Sequence, residues 1–241
     1  MSEFFEPASP RSFDRSELTF DRRFFAMTAI AAILLVLVGF SPTFYLRTWF
    51  DGPALSPLLY VHGTLMTAWY ALFAAQVMLV SAGRVDIHRR LGILTAITAA
   101  ALVPAGVATA IAFIRRVAGN AEDSAFAALI AGYQFVALTQ FAVLVCTALA
   151  FRRRSDIHKR LMTVATLSLL GPPLARLVPD QYALWLNYAV VLLPIAIDTW
   201  RHRRLHPAFG WAGGIFLLTS QVALNFASSD RWIQFALRVF G

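Results

Sequence analysis

Arg84-Val85-Asp86-Ile87-His88-Arg89-Arg90-Leu91 returns seventy residues later as Arg154-Ser155-Asp156-Ile157-His158-Lys159-Arg160-Leu161. Six of the eight positions are identical. Each copy follows one long apolar run and opens the next, so each reads as the turn of a helical hairpin with a histidine at its mouth. In hydrocarbon the backbone must satisfy its own hydrogen bonds, and a continuous apolar run of roughly 20 residues does so as a helix.

Working outward from the two turns, seven such runs fill the 241 residues: 23–42, 58–80, 91–114, 125–151, 161–178, 182–200 and 209–227. With 59% hydrophobic and 14% charged residues the chain is too apolar for a soluble domain. The expected fold is all-α, a polytopic membrane bundle of seven transmembrane helices. A cytoplasmic tail over 1–22 precedes a membrane domain over 23–227. Over 228–241, Arg231, Gln234 and Arg238 recur at helical spacing among Trp232, Ile233 and Phe235, which predicts a short interfacial helix lying on the outer face. Runs 2–3 and 4–5 form two hairpins of the same direction, hence parallel repeats about an axis along the membrane normal.

The net charge of +8 is placed as topology requires, not as nucleic acid would require. Fifteen of the 21 Lys and Arg residues fall in 11–23, 84–90, 152–160 and 201–204, which share one side of the seven-run plan. The positive-inside bias makes that side cytoplasmic, so the N-terminus lies in and the C-terminus out. Arg89, Arg90, Lys159 and Arg160 are then placed to meet anionic lipid headgroups. Cys146 is the sole cysteine and lies in the fourth run, so no internal disulfide exists. The polar start, with both charge signs, reads as a tail before a retained span. The expected location is a bacterial inner membrane; no protein partner can be named.

Five histidines carry what chemistry the chain offers. The repeat puts His88 and His158 at equal depth on two non-consecutive helices, facing each other across a pseudo-axis. One reading is purely topogenic: Asp86 and Asp156 cap the helices and the basic residues hold phosphates. The other is a cofactor site, because such a turn needs arginine but has no special need of histidine. His62 sits a few residues inside the outer end of span 2, where an ionisable group is costly and often functional; it lies opposite His88 and His158. His202 and His206 have the i, i+4 spacing of metal ligands, but three arginines and Pro207 favour a connecting loop. Asp198 is expected to pair with Arg201, and Arg176 with Asp180.

Several activities are excluded. Lys159 is the one lysine and sits in a turn, so no mid-membrane retinal Schiff base can form. No span carries the repeated histidine pairs of a di-iron hydroxylase, and no phosphate-binding glycine motif occurs.

His62-Gly-x-x-Met-x-x-Trp69 with Gln76, His88-Arg-Arg-Leu-Gly92, His158-Lys-Arg-Leu-Met162, Gly171-Pro with Arg176, Asp198, and His206-Pro207 together resemble a bacterial family of seven-span inner-membrane proteins. That resemblance covers residues 24–215 and implies a fold, not a reaction. More distantly, spans 2–5 are similar to the four-helix core of the transmembrane di-haem cytochromes b that oxidise ascorbate. In that family haem ligands pair between spans 2 and 4 and between spans 3 and 5. The resemblance implies His88 and His158 as the second pair; span 4 has no histidine to partner His62, so it implies one haem b. The chain also resembles the seven-span zinc hydrolases of the progestin-receptor-like superfamily in span count and in a cytoplasmic-side histidine cluster, and His202/His206 copies the spacing of their His-x-x-x-His pair; a metal there would take His88, His158 and His206. Three classes follow: a redox protein binding haem or quinone at the cytoplasmic rim, a non-enzymatic membrane protein binding lipid, a small molecule or a partner, and a zinc-dependent membrane hydrolase.

Overall fold

Six helices among the described residues are long and apolar enough to cross a bilayer, which makes the chain a multi-pass helical membrane bundle. The computed structural model describes residues 15–117 and 120–241. In chain order the helices are α1 (Arg15–Gly39), α2 (Pro57–Ser81), α3 (Val85–Val117), α4 (Ala121–Ala150), α5 (Ser155–Leu167), α6 (Gly171–Leu174), α7 (Asp180–His202), α8 (Pro207–Ala227) and α9 (Asp230–Phe240). No strand occurs among the described residues. Of the expected tail, residues 1–14 lie outside the described residues, and helix α1 already begins at Arg15, ahead of the apolar run.

The six candidate spans are α1 to α4, α7 and α8. The fifth apolar run is not a continuous helix. After the 13 residues of α5 the chain tightens into a 3-10 turn over Ser168–Leu170 before α6. Pro172 and Pro173 explain the break, because neither has an N–H to return to the carbonyl four residues earlier. The broken segment nevertheless covers the depth of the bundle. Lys159 meets Asp21 near one end of α1, and Pro173 lies against Gly39 at the other. A Cβ on Gly39 would come within 2.6 Å of the Pro173 carbonyl oxygen, so the two segments touch through backbone. Proline inside a helix is tolerated elsewhere: α3 runs 33 residues through Pro104, and α7 through Pro194.

The main core gathers Trp69 and Tyr70 of α2, Phe141 and Leu144 of α4, Leu161 and Val164 of α5, and Phe209 of α8. Trp69 and Phe141 meet edge to face with ring centres 4.9 Å apart. The Tyr70 hydroxyl donates to the Thr166 carbonyl at 3.1 Å, so a buried phenol ties α2 to α5. A second cluster lies where α9 crosses α3 and α4, with Trp232 and Ala236 inserted among Ala110, Ile114, Ala127, Ala128 and Ala131. Trp232 donates its indole N–H to the Ala128 carbonyl at 2.7 Å. Ser229 caps α9 through its hydroxyl, and Arg231 and Arg238 stay on the exposed face. A short helix thus forms over the stretch whose amphipathic pattern predicted one.

Candidate functional site

The second copy of the repeated motif is the hub of one end of the bundle. Three consecutive residues in the first two turns of α5 reach three different neighbours, since successive side chains on a helix point about 100° apart. His158 reaches His88 on α3, with ring centres 6.5 Å apart and planes nearly perpendicular. Lys159 ion-pairs with Asp21 of α1 and lies 4.9 Å above the Phe25 ring. Arg160 forks onto Asp198 of α7: Nη2 donates to Oδ1 at 2.7 Å and Nε to Oδ2 at 3.1 Å.

The Arg160–Asp198 pair is withdrawn from solvent and lipid, with side chains 5% and 1% exposed. Arg160 also donates to the Asp156 carbonyl and stacks over Phe209, so most of its donors and one face are used. Two expectations are thereby corrected. Arg160 is not available to a lipid headgroup, because burial and the Asp198 fork occupy it. Asp198 pairs with Arg160 and not with Arg201, whose guanidinium lies over Phe20.

His202 is the last residue of α7, not part of a loop. Its Nδ1 lies 2.9 Å from the Asp198 carbonyl oxygen and 3.5 Å from the Asp198 carboxylate, and its Nε2 is 3.9 Å from Asp21. Asp21, Asp198 and His202 present ligand atoms within 4.8 Å of one another, the one such set among the described residues. Lys159 and Arg160 already balance both carboxylates, so the set is complete as a charge cluster without an ion. His88, His158 and His206 do not gather into a comparable set of three among the described residues. His206 instead caps α8: its Nδ1 accepts from the Ala208 N–H at 3.2 Å, and its Nε2 faces Asp156 at 3.5 Å. Burial lowers the His206 pKa below the usual histidine value, and the Arg160 charge lowers it further, against the opposing pull of Asp156 and Asp198.

The expected aspartate caps are absent. Helix α5 starts at Ser155 after Arg154, which makes no side-chain capping bond, so Asp156 sits inside the first turn and faces His206. Asp86 likewise lies within the first turn of α3 and meets Arg84 at 3.6 Å on the surface. Arg176 donates to the Pro172 carbonyl at 2.7 Å and stacks on Phe40; the side chain of Asp180 lies outside the described residues. Arg89 and Arg90 are exposed.

His62 lies in the second turn of α2, its Nδ1 buried and without a hydrogen-bond partner. Nineteen residues of helix, about 28 Å, separate it from the end of α2 that leads to His88. It belongs to neither cluster.

The histidine pair has the features of a ligand site. His158 Nδ1 bonds to the Ala148 carbonyl at 2.8 Å. A carbonyl there holds the proton on Nδ1 and leaves Nε2 as the free electron pair, the arrangement that orients metal-bound imidazoles. His88 Nδ1 is buried without a well-formed partner, with the Gln76 main chain nearby. Two metal–nitrogen bonds of about 2.0 Å, each extended by about 1.1 Å to its ring centre, would span about 6.2 Å if they lay on one straight line, and about 5 Å at a tetrahedral angle. The observed 6.5 Å is close to the straight-line figure. Two imidazoles on separate helices at this spacing are within reach of one metal ion held between them.

Compared with protein-family models, with curated proteins and with solved structures, the chain matches none.

Proposed function

We propose that this chain is a multi-pass protein of a bacterial inner membrane that binds a redox cofactor between α3 and α5, where His88 and His158 would hold it. The observation that carries the reading is the 6.5 Å spacing of the two rings, each from its own helix. Haem b suits this donor set: two imidazoles, one with its tautomer fixed by Ala148, and exposed Arg89 and Arg90 at the rim beside His88 for carboxylate groups. The likeness of spans 2–5 to the ascorbate-oxidising cytochromes b supports the same pairing. When bound, such a group supplies one-electron transfer. The chain's own part is to hold the metal, fix the His158 tautomer and present basic groups to the rim.

The proposed topology has seven crossings, with the histidine end cytoplasmic. The broken α5–α6 segment is counted as a crossing because it runs from Asp21 to Gly39, the two ends of the apolar part of α1. An odd number of crossings puts α9 on the outer face. The basic residues of both motif copies then lie inside, as the positive-inside bias favours, and Arg89 and Arg90 meet anionic headgroups there.

The test is an absorption spectrum of detergent-purified protein from haem-supplemented cells, oxidised and then reduced, with metal analysis on the same sample. The expected result is a Soret band with sharpened bands on reduction, lost in both His88→Ala and His158→Ala. A flat visible spectrum would overturn the haem reading. Colourless protein carrying zinc that is lost in both variants would move the same histidines to a hydrolytic metal.

A further inference from the structure

We propose that the groove between α3 and α4, at the end opposite the histidines, holds one acyl chain of a phospholipid whose phosphate is bound at Arg115. The groove has a volume of about 490 Å³ and is walled by Val103, Val107 and Ile111 of α3 and by Ala142 and Val143 of α4, with Phe240 of α9 at one end. Thr139 contributes the one polar side chain of the lining, and its hydroxyl is spent on the Phe135 carbonyl. A space this size without free polar groups does not hold ordered water. Thr139 and Val143 are exposed, so the groove opens to the lipid side of the bundle. From Val103 to Ile111 it follows α3 for about 12 Å, a fit to an extended chain lying along the helices.

A groove alone would not identify its occupant; the charge beside Phe240 does. Phe240 lines the groove with its side chain, while its carbonyl accepts a hydrogen bond from Arg115 Nε at 3.2 Å. That places a guanidinium one residue from the apolar floor. Arg115 and Arg116 are both exposed, and neither has a carboxylate within ion-pair distance among the described residues. They offset the negative end of the α3 dipole, but that role does not require contact with Phe240. An apolar slot ending beside Arg115, whose guanidinium has no carboxylate partner among the described residues, matches a phospholipid: hydrocarbon below, phosphate above.

The test is native mass spectrometry with phosphorus analysis of protein purified through extended detergent washing, followed by titration of delipidated protein with phosphatidylglycerol. The expected result is one retained phospholipid per chain, displaced in Ala142→Trp, which fills the groove. Arg115→Gln leaves the groove volume intact and should weaken binding about fivefold, with Arg115→Lys close to wild type. This variant decides the matter if the tryptophan disturbs folding. Absence of retained lipid, equal retention in wild type and Arg115→Gln, or a dimer in place of the lipid-bound monomer would each overturn the proposal.

Discussion

The two copies of the motif begin from nearly the same eight residues and end in different environments. His88-Arg89-Arg90 opens α3 at the rim, and only the histidine turns inward; Arg89 and Arg90 stay exposed. His158-Lys159-Arg160 opens α5, with α1, α3 and α7 around it, and all three side chains find partners. Local sequence therefore sets the helix start and the histidine's depth in both copies. Neighbours decide whether the cations serve as a solvated face or as a clasp. The difference is tertiary: α5 can receive Asp21 and Asp198 from other helices, while Arg89 and Arg90 meet no acid among the described residues.

The sharpest way to break this contrast is to remove matched arginines. Arg160→Ala strands Asp198 in a site where it is 1% exposed, and losing one partner of a buried ion pair costs about 3–5 kcal/mol. Arg90→Ala should stay within about 0.5 kcal/mol, as at other exposed positions. Thermal unfolding in detergent, scored by aggregation onset, separates these outcomes. Equal shifts would mean that the two copies are energetically alike. Replacing the pair together, Arg160→Met with Asp198→Leu, should recover much of the loss, because the stranded charge is then gone.

A smaller effect is expected one residue earlier. Lys159 and Asp21 are partly exposed, with side chains 31% and 20% accessible. Solvent screening limits such a pair to about 1 kcal/mol. Lys159→Ala should therefore cost about that much and Arg89→Ala less, in the same unfolding assay. A cost for Lys159→Ala as large as that for Arg160→Ala would show that Asp21 depends wholly on the lysine.

Much of this end of the molecule was legible in the sequence, and the limits are physical. The repeat pointed to the shared end of His88 and His158 because nearly identical turns start both helices at the same motif position. The burial of Arg160 was not legible: Arg90 occupies the same motif position, and the partner Asp198 lies 38 residues away on another helix. His202 reads as loop because α7 stops at Arg203, which takes a left-handed backbone with φ 55°. Glycine or asparagine signals such a stop; arginine does not. In the fifth run Gly171-Pro172-Pro173 marks the break directly, because proline returns no helical hydrogen bond; the 3-10 turn over Ser168–Leu170 just ahead of it carries no such signal.

The smallest effect concerns His206, which has no counterpart beside the first motif. Its Nδ1 can cap α8 only while unprotonated, because protonation turns the acceptor into a donor. Its folded pKa is lowered, by burial first and by the Arg160 charge second, so folding favours the neutral ring. The stabilisation is therefore fully present above the unfolded histidine pKa of about 6.5 and is lost as pH falls through the lower folded value. His206→Asn keeps a capping oxygen but removes the titration. The difference between the wild-type and variant unfolding temperatures, followed from pH 7.5 to 4.5, isolates this group from the other histidines. Wild type should lose stability relative to His206→Asn below about pH 6.5, by no more than the worth of one cap, about 1 kcal/mol. Parallel profiles would mean that Asp156, facing Nε2 at 3.5 Å, holds the protonated ring in place as well as the cap holds the neutral one.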